Sequence, residues 1–260
     1  GIYLITYNVK DSAGNAANQV LRTVKVIDTQ PPVIVLNGPA VVEVGVKSTY
    51  TDEGARAIDN VDGDITSQIV AINTVNTQEL GIYKVIYNVT DSSGNKAADV
   101  IRTVNVVDKT PPFIVLKGEN PAEVEQGTVY TDAGALAFDE IDGNITTKII
   151  VNDTVNTNQI GTYIVTYNVV DAAGNAANQA IRTVNVVDTT PPVITLNGPA
   201  FLQIEVGSTY TDQGASALDT VDGDLTGNII SNSNVDTTKI GIYVITYNVM
   251  DSAGNAASQV

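Results

Sequence analysis

The sequence predicts an all-β chain, a tandem array of small antiparallel β-sandwiches with an 80-residue period. Three observations predict it. Landmarks recur at one spacing: Pro31-Pro32, Pro111-Pro112 and Pro191-Pro192; Tyr50, Tyr130 and Tyr210; Gly94, Gly174 and Gly254. Val, Ile, Thr, Asn, Asp and Gly dominate, and these residues suit strands and turns. No stretch carries a helical apolar period.

The ruler sets the domains. Residues 31–110, 111–190 and 191–260 each read as one repeat, the last lacking most of its final strand. Residues 1–30 read as the C-terminal strands of a preceding repeat, since Gly1-Ile2-Tyr3 matches Gly81-Ile82-Tyr83 and Gly241-Ile242-Tyr243. No stretch resembles a secretory leader and residue 1 falls in a strand-like run, so the chain reads as a piece of something longer.

Within a repeat the pattern is strand, turn, strand. Val33 to Asn37 is a short apolar strand after the prolines. Val41 to Val44 alternates, and Thr49 to Ile58 follows with a bulge expected at Asp52-Glu53-Gly54. Ile65 to Ile72 comes after an acidic loop, with a short piece around Val75. In Ile82 to Thr90, Tyr83, Val85, Tyr87 and Val89 share one face. Asp91 to Asn95 is a turn, and Val100 to Val107 closes the repeat. Seven or so short strands in this length indicate a sandwich. Tyr83, Tyr163 and Tyr243 stand where immunoglobulin-like sandwiches place a tyrosine whose hydroxyl ties down a corner. Asn88 reads as structural.

Composition excludes several functions. Hydrophobic residues make up 43%, enough for a core, yet no apolar run approaches a membrane span. The net charge of −16 argues against nucleic acid. Cysteine, histidine and tryptophan are absent, which removes disulfides, the commonest zinc ligands and the best sugar-stacking ring. Aromatics are only 5%, and the recurrent tyrosines take inward positions, which weighs against glycan binding. Asp62 and Asp64 as an acid–base pair would need an apolar pocket to separate their pKa values, and they sit in a polar loop.

Apolar columns drift within a class, as in Val33/Phe113/Val193 or Ile58/Phe138/Leu218, which is what a tolerant core permits. The acidic columns headed by Asp52, Asp59, Asp62 and Asp91 do not drift. Pro31-Pro32-Val33-Ile34, Tyr50-Thr51-Asp52-x-Gly54-Ala55-x-Ala57-x-Asp59, Asp62-Gly63-Asp64-Ile65-Thr66 and Tyr87-x-Val89-x-Asp91-x-x-Gly94-Asn95 together resemble the bacterial surface immunoglobulin-like repeat. That family was first named from a pesticidal crystal protein. The resemblance covers essentially the whole chain. It implies immunoglobulin-like sandwiches in tandem on an exported protein, outside the cell or at the bacterial surface, and no enzymatic activity. The repeat starting at residue 111 departs from the pattern at Asn144, where its sisters carry Asp64 and Asp224.

Immunoglobulin connectivity would gather the acidic loop, the last turn and the entering linker at one pole. Asp28, Asp59, Asp62, Asp64, Asp91 and Asn95 would then converge. The next pole would hold Asp108, Asp139, Asp142, Asn144, Asp171 and Asn175, one charge poorer. The third would hold Asp188, Asp219, Asp222, Asp224, Asp251 and Asn255. Such oxygen sets suit calcium, which takes six to eight oxygen ligands, better than magnesium or softer metals. Turn chemistry alone is the competing account, because Asp, Asn and Gly favour turns for local reasons. Asp52 is either a brace for the bulge at Gly54 or a further ligand.

Two prolines make each linker short and stiff. The expected function is a structural or adhesive stalk, stiffened by Ca²⁺ at the junctions between neighbouring repeats of the same chain. Self-assembly of identical chains into a filament or surface layer is the alternative, and a glycan-binding module a further one.

Overall fold

In the computed structural model, which describes residues 1–260, strand alternation and turn chemistry build two units, Gly1–Thr110 and Pro111–Val260. The first begins with an antiparallel hairpin of β1 (Ile2–Tyr7) and β2 (Val20–Lys25). The first whole repeat follows, with β3 (Val33–Leu36), β4 (Val41–Gly45), β5 (Ala55–Asp59), β6 (Gly63–Asp64), β7 (Val70–Asn73), β8 (Gly81–Asn88) and β9 (Val100–Val107). These form two sheets, β3-β5-β6 and β4-β9-β8-β7. Ile34, Ala55 and Ala57 from the small sheet face Val85, Tyr87 and Val104 from the large one. Fully burying a valine or larger apolar side chain contributes roughly 1.5–3 kcal/mol.

The second unit holds two further repeats. In the first of them, β10 (Phe113–Leu116), β12 (Ala135–Asp139) and β13 (Gly143–Asn144) make the small sheet. The large sheet has the order β11 (Ala122–Glu125), β16 (Ala180–Val187), β15 (Gly161–Asn168), β14 (Ile150–Asp153). The last repeat has β17 (Val193–Leu196), β18 (Ala215–Asp219) and β19 (Gly223–Asp224) in one sheet. It pairs β20 (Ile230–Ser233) with β21 (Ile245–Asn248) in another. No helix is long and apolar enough to cross a membrane.

The architecture is all-β and immunoglobulin-like, as expected, with Tyr83 donating to the Glu79 carbonyl at 3.1 Å, Tyr163 to Gln159 at 3.0 Å and Tyr243 to Lys239 at 3.2 Å. Asn88 accordingly serves the fold, donating to the Asp99 side chain across the last turn.

Several expectations fail, each for a physical reason. The sandwich is not wholly antiparallel, because β4 runs parallel to β9 and β11 parallel to β16. Thr49 to Ile58 is not one bulged strand. The Asp52 side chain accepts from the Gly54 amide at 3.0 Å, Gly54 takes a φ of 74°, and the ladder starts only at Ala55. Ile65 to Ile72 is interrupted by a 3₁₀ turn over Thr66–Gln68. The drifting columns are not core: Val33 is 64% exposed and Ile58 52%, cross-strand partners on the outside of the small sheet. Alternation puts Ile34, Ala55 and Ala57 inward and Val33 and Ile58 outward, so the tolerance of the Val33 and Ile58 columns reflects water rather than packing.

Candidate metal centre

The first acidic set lies within the first unit, and each member is placed by its own turn. Asp59 ends β5, and its Oδ1 accepts from the Val61 and Asp62 amides at 2.8 and 2.9 Å. That bonding closes the tight turn into β6, where Gly63 adopts a φ of 74°. Asp91 opens the turn between β8 and β9, and its Oδ1 accepts from the Ser93 and Asn95 amides at 3.0 and 2.7 Å. Asp28 lies in the linker between β2 and β3, and its Oδ1 accepts from the Gln30 amide at 3.1 Å. Each carboxylate thus commits one oxygen to local turn chemistry.

The other oxygens carry the meaning. One carboxylate oxygen from each of Asp28, Asp59 and Asp91 lies within 4.8 Å of the other two. Asp28 Oδ2 and Asp59 Oδ2 are buried and have no hydrogen-bond partner. Buried carboxylate oxygens are normally satisfied, and an orphaned one costs its full desolvation. Turn chemistry explains the first oxygen of each residue and leaves the second oxygens of Asp28 and Asp59 unexplained. The Asn95 amide nitrogen donates to Asp91 Oδ2 at 2.8 Å and to the Asp28 carbonyl at 3.4 Å, so Asn95 presents a donor and organises the set. Burial works against the charge on Asp91, but the hydrogen bonds from the Asn95 side chain and backbone hold its carboxyl below the ordinary range.

The last repeat rebuilds this arrangement. Asp188, Asp219 and Asp222 each bring a carboxylate oxygen within 4.8 Å of the others, and Asp188 Oδ2 and Asp219 Oδ2 are buried without partners. Asn255 donates to Asp251 Oδ2 at 2.8 Å and to the Asp188 carbonyl at 3.1 Å. Burial raises the Asp188 carboxyl, opposed by the Thr190 amide and reinforced by the charges of Asp219 and Asp251. A group held in this way is short of positive charge.

The middle residues divide between the units. In the first unit Asp108 Oδ1 accepts from the Thr110 amide at 2.9 Å. In the second, Asp139 repeats the Asp59 turn, accepting from Ile141 at 2.7 Å and Asp142 at 2.8 Å, and its Oδ2 is again buried without a partner. Asp171 accepts from the Asn175 amide and side chain, both at 2.7 Å.

Not every expected ligand faces its set. Asp62 turns to the last loop, accepting from the Ser92 amide and hydroxyl, both at 2.7 Å. Asp222 does the same with Ser252 and still reaches Asp188 and Asp219, while Asp142 accepts from the Ala172 amide at 2.7 Å with Lys148 3.5 Å away. Asp64, Asn144 and Asp224 stay exposed, outside the clustered triads, and accept from Thr66, Thr146 and Thr226 at 2.9, 3.0 and 2.9 Å. An amide oxygen serves that purpose as well as a carboxylate. The turn is therefore the same with Asn144 as with Asp64 or Asp224.

Asp52 belongs to the core instead. Arg102, 1% exposed, binds it through Nη1, and Tyr50 donates to it at 2.7 Å and Tyr87 through its hydroxyl. Arg102 also donates to the carbonyls of Asn37, Pro39 and Gly54. Arg182, Asp132, Tyr130 and Tyr167 repeat the network, with Arg182 Nε 3.0 Å from Asp132. Arg22, Arg102 and Arg182 recur at the 80-residue spacing, and that signal was open to sequence reasoning. An arginine on the core row of an alternating strand was the unread clue.

A family model described as bacterial surface protein, Ig-like domain, matches residues 34–106, 114–186 and 194–260. The chain belongs to this bacterial surface Ig-like family. Pesticidal crystal protein Cry22Aa of Bacillus thuringiensis is 30% identical over 270 residues, covering 98% of the chain and 35% of that relative. Hyalin of Lytechinus variegatus is 32% identical over 296 residues, covering 99% of the chain and 51% of that relative. The chain therefore spans about half or less of the length of these relatives. A solved lipoprotein structure from Bacteroides thetaiotaomicron aligns over 86% of the chain and 96% of its own, at 13% identity and a TM-score of 0.29. Membership in this family makes the repeats surface-protein modules, and the buried aspartate clusters of the Ig-like repeats could hold metal ions.

Proposed function

We propose that the chain is a stalk segment of an exported bacterial surface protein whose joints are stiffened by calcium. The buried, unpartnered oxygens of Asp28 and Asp59, repeated at Asp188 and Asp219, carry this reading. All the available donors are oxygens, which selects a hard cation, and calcium tolerates the irregular spacing of such sets better than magnesium does. Asp28 with Asp59 and Asp91 would hold one ion, and Asp188 with Asp219 and Asp222 another. Asp251, whose charge already acts on Asp188, lies beside the second set.

An ion held by both a linker aspartate and domain aspartates ties the linker to the domain that follows it. Asn95 and Asn255 already make that tie by hydrogen bond, and a cation would add charge neutralisation to it. The proline pair after each linker limits the remaining freedom. A stalk needs stiffness of this kind at every joint.

Calcium titration of the chelator-stripped chain by calorimetry tests the proposal. Saturable binding that disappears in the triple variant Asp59→Asn, Asp139→Asn, Asp219→Asn, which changes all three of the repeated aspartates with an unpartnered buried oxygen, is expected. Absence of binding at millimolar calcium would remove the ion from the account and leave a stalk held by prolines and hydrogen bonds alone.

A further inference from the structure

The parallel pairing of β11 with β16 has a consequence for the linker that follows. Parallel neighbours end on the same side, so Glu125, the last residue of β11, sits opposite Val187 and next to the chain leaving the repeat. Its carboxylate gathers the donors of the next linker residues. Oε1 and Oε2 accept from the Thr189 amide at 3.1 and 2.9 Å, and Oε2 accepts from the Thr189 hydroxyl at 2.7 Å. Oε1 also accepts from the Thr190 amide and hydroxyl at 3.2 and 2.8 Å. The two linker amides and the two hydroxyls are thereby held by one side chain some 64 residues earlier in the chain.

We propose that Glu125 is an ion-independent lock that fixes the linker between the repeat 111–190 and the repeat 191–260. Hydrogen bonds to a charged acceptor are among the stronger ones available to a partly exposed side chain, and this carboxylate receives several at once. The consequence is a joint that keeps its direction without a metal. The last repeat keeps a glutamate, Glu205, in the column of Glu125, and the preceding repeat does not. The same column in the preceding repeat holds Gly45, which has no side chain to offer, and its linker reads Lys109-Thr110 in place of Thr189-Thr190. The bonds to Thr189 and Thr190 are made by the polypeptide itself, but Glu125 also meets the side chain of Asp188, a member of the proposed ion set, so the lock is tested with the ion removed.

The absence of cysteine allows site-specific spin labels at Thr147→Cys and Ser231→Cys, both exposed, one in each of the two repeats. Distance distributions are recorded for the full chain in excess chelator. The wild-type distribution is expected to stay narrow, and Glu125→Gly, which installs the residue of the preceding repeat, should at least double its width. Thr189→Val with Thr190→Val alters only the linker and should broaden it in the same direction, which covers the case in which Glu125→Gly unsettles its own repeat. A wild-type distribution already broad without ions would overturn the proposal. So would variant distributions as narrow as the wild type.

Discussion

The side-chain amide of Asn255 donates to the backbone carbonyl of Asp188 at 3.1 Å, and Asn95 stands in the same relation to Asp28 at 3.4 Å. In both cases a residue of the last turn of a repeat reaches the linker that enters it. The aspartate whose carbonyl is held so has a buried Oδ2 with no partner. The hydrogen bond fixes where the linker carboxylate stands, and the orphaned oxygen says what that position lacks.

Asp188→Asn separates these two effects. Its carboxyl is raised in the folded state, chiefly by burial, so the charged form opposes folding above that pKa. A raised folded pKa contributes stability below the unfolded value that is lost as pH rises through the folded one. Without ions, Asp188→Asn should therefore melt at or above the wild-type temperature at neutral pH. With calcium, the wild type should gain stability and the variant should gain less. A melt with and without chelator checks both signs.

Arg102 and Asp52 should matter for stability and not for the ion. Removing one partner of a buried ion pair typically costs about 3–5 kcal/mol, so Arg102→Met should lose an amount of that order in urea denaturation. Calcium affinity should stay unchanged. For Asp52, burial is outweighed by the hydrogen bonds from Tyr87, Tyr50 and Arg102, which leaves its carboxyl below the ordinary range. A lowered folded pKa contributes stability above the unfolded value, near 4, that is lost as pH falls through the folded one. Stability should therefore fall as pH drops from about 4 toward the lowered pKa of Asp52, and Asp52→Asn should flatten that limb.

The equivalent tyrosines of the later repeats, Tyr130 donating to Asp132 and Tyr247 to Asp212, set the alkaline limit. Burial and the neighbouring Asp132 push the Tyr130 hydroxyl up to about 12, and burial with Asp212 pushes Tyr247 to about 12. Both phenols stay protonated in the fold at pH values where the unfolded chain, with a pKa of about 10, has lost the proton. Stability should fall as pH rises from about 10 toward 12, and Tyr247→Phe should remove part of that slope. Equilibrium denaturation across this range is the measurement.

Asn144 gives a sharper comparison. Since Asn144, Asp64 and Asp224 accept a turn amide and stand outside the clustered oxygens, Asn144→Asp should add no calcium affinity. Exposed substitutions that keep the bond should change stability by less than about 0.5 kcal/mol. Tighter calcium binding by Asn144→Asp in a titration would return this column to the ion sites.

Recurrence of landmarks 80 residues apart determined the period. Adjacent residues were enough to determine the all-β class, the corner tyrosines and the turns that place Asp59 and Asp91. Each of these follows from local backbone bonding or from alternation along one strand, and both are written in neighbouring positions. The tertiary structure alone decided which oxygens of those aspartates stay unsatisfied, because that depends on what surrounds them after three separate segments meet. It also decided that Val33 and Ile58 face water while Arg102 faces the core, since alternation fixes two faces but not which one packs. The parallel pairing that carries Glu125 to Thr189 was likewise invisible in the sequence. Strand direction is set by the partner a strand finds, and here that partner lies some 60 residues away.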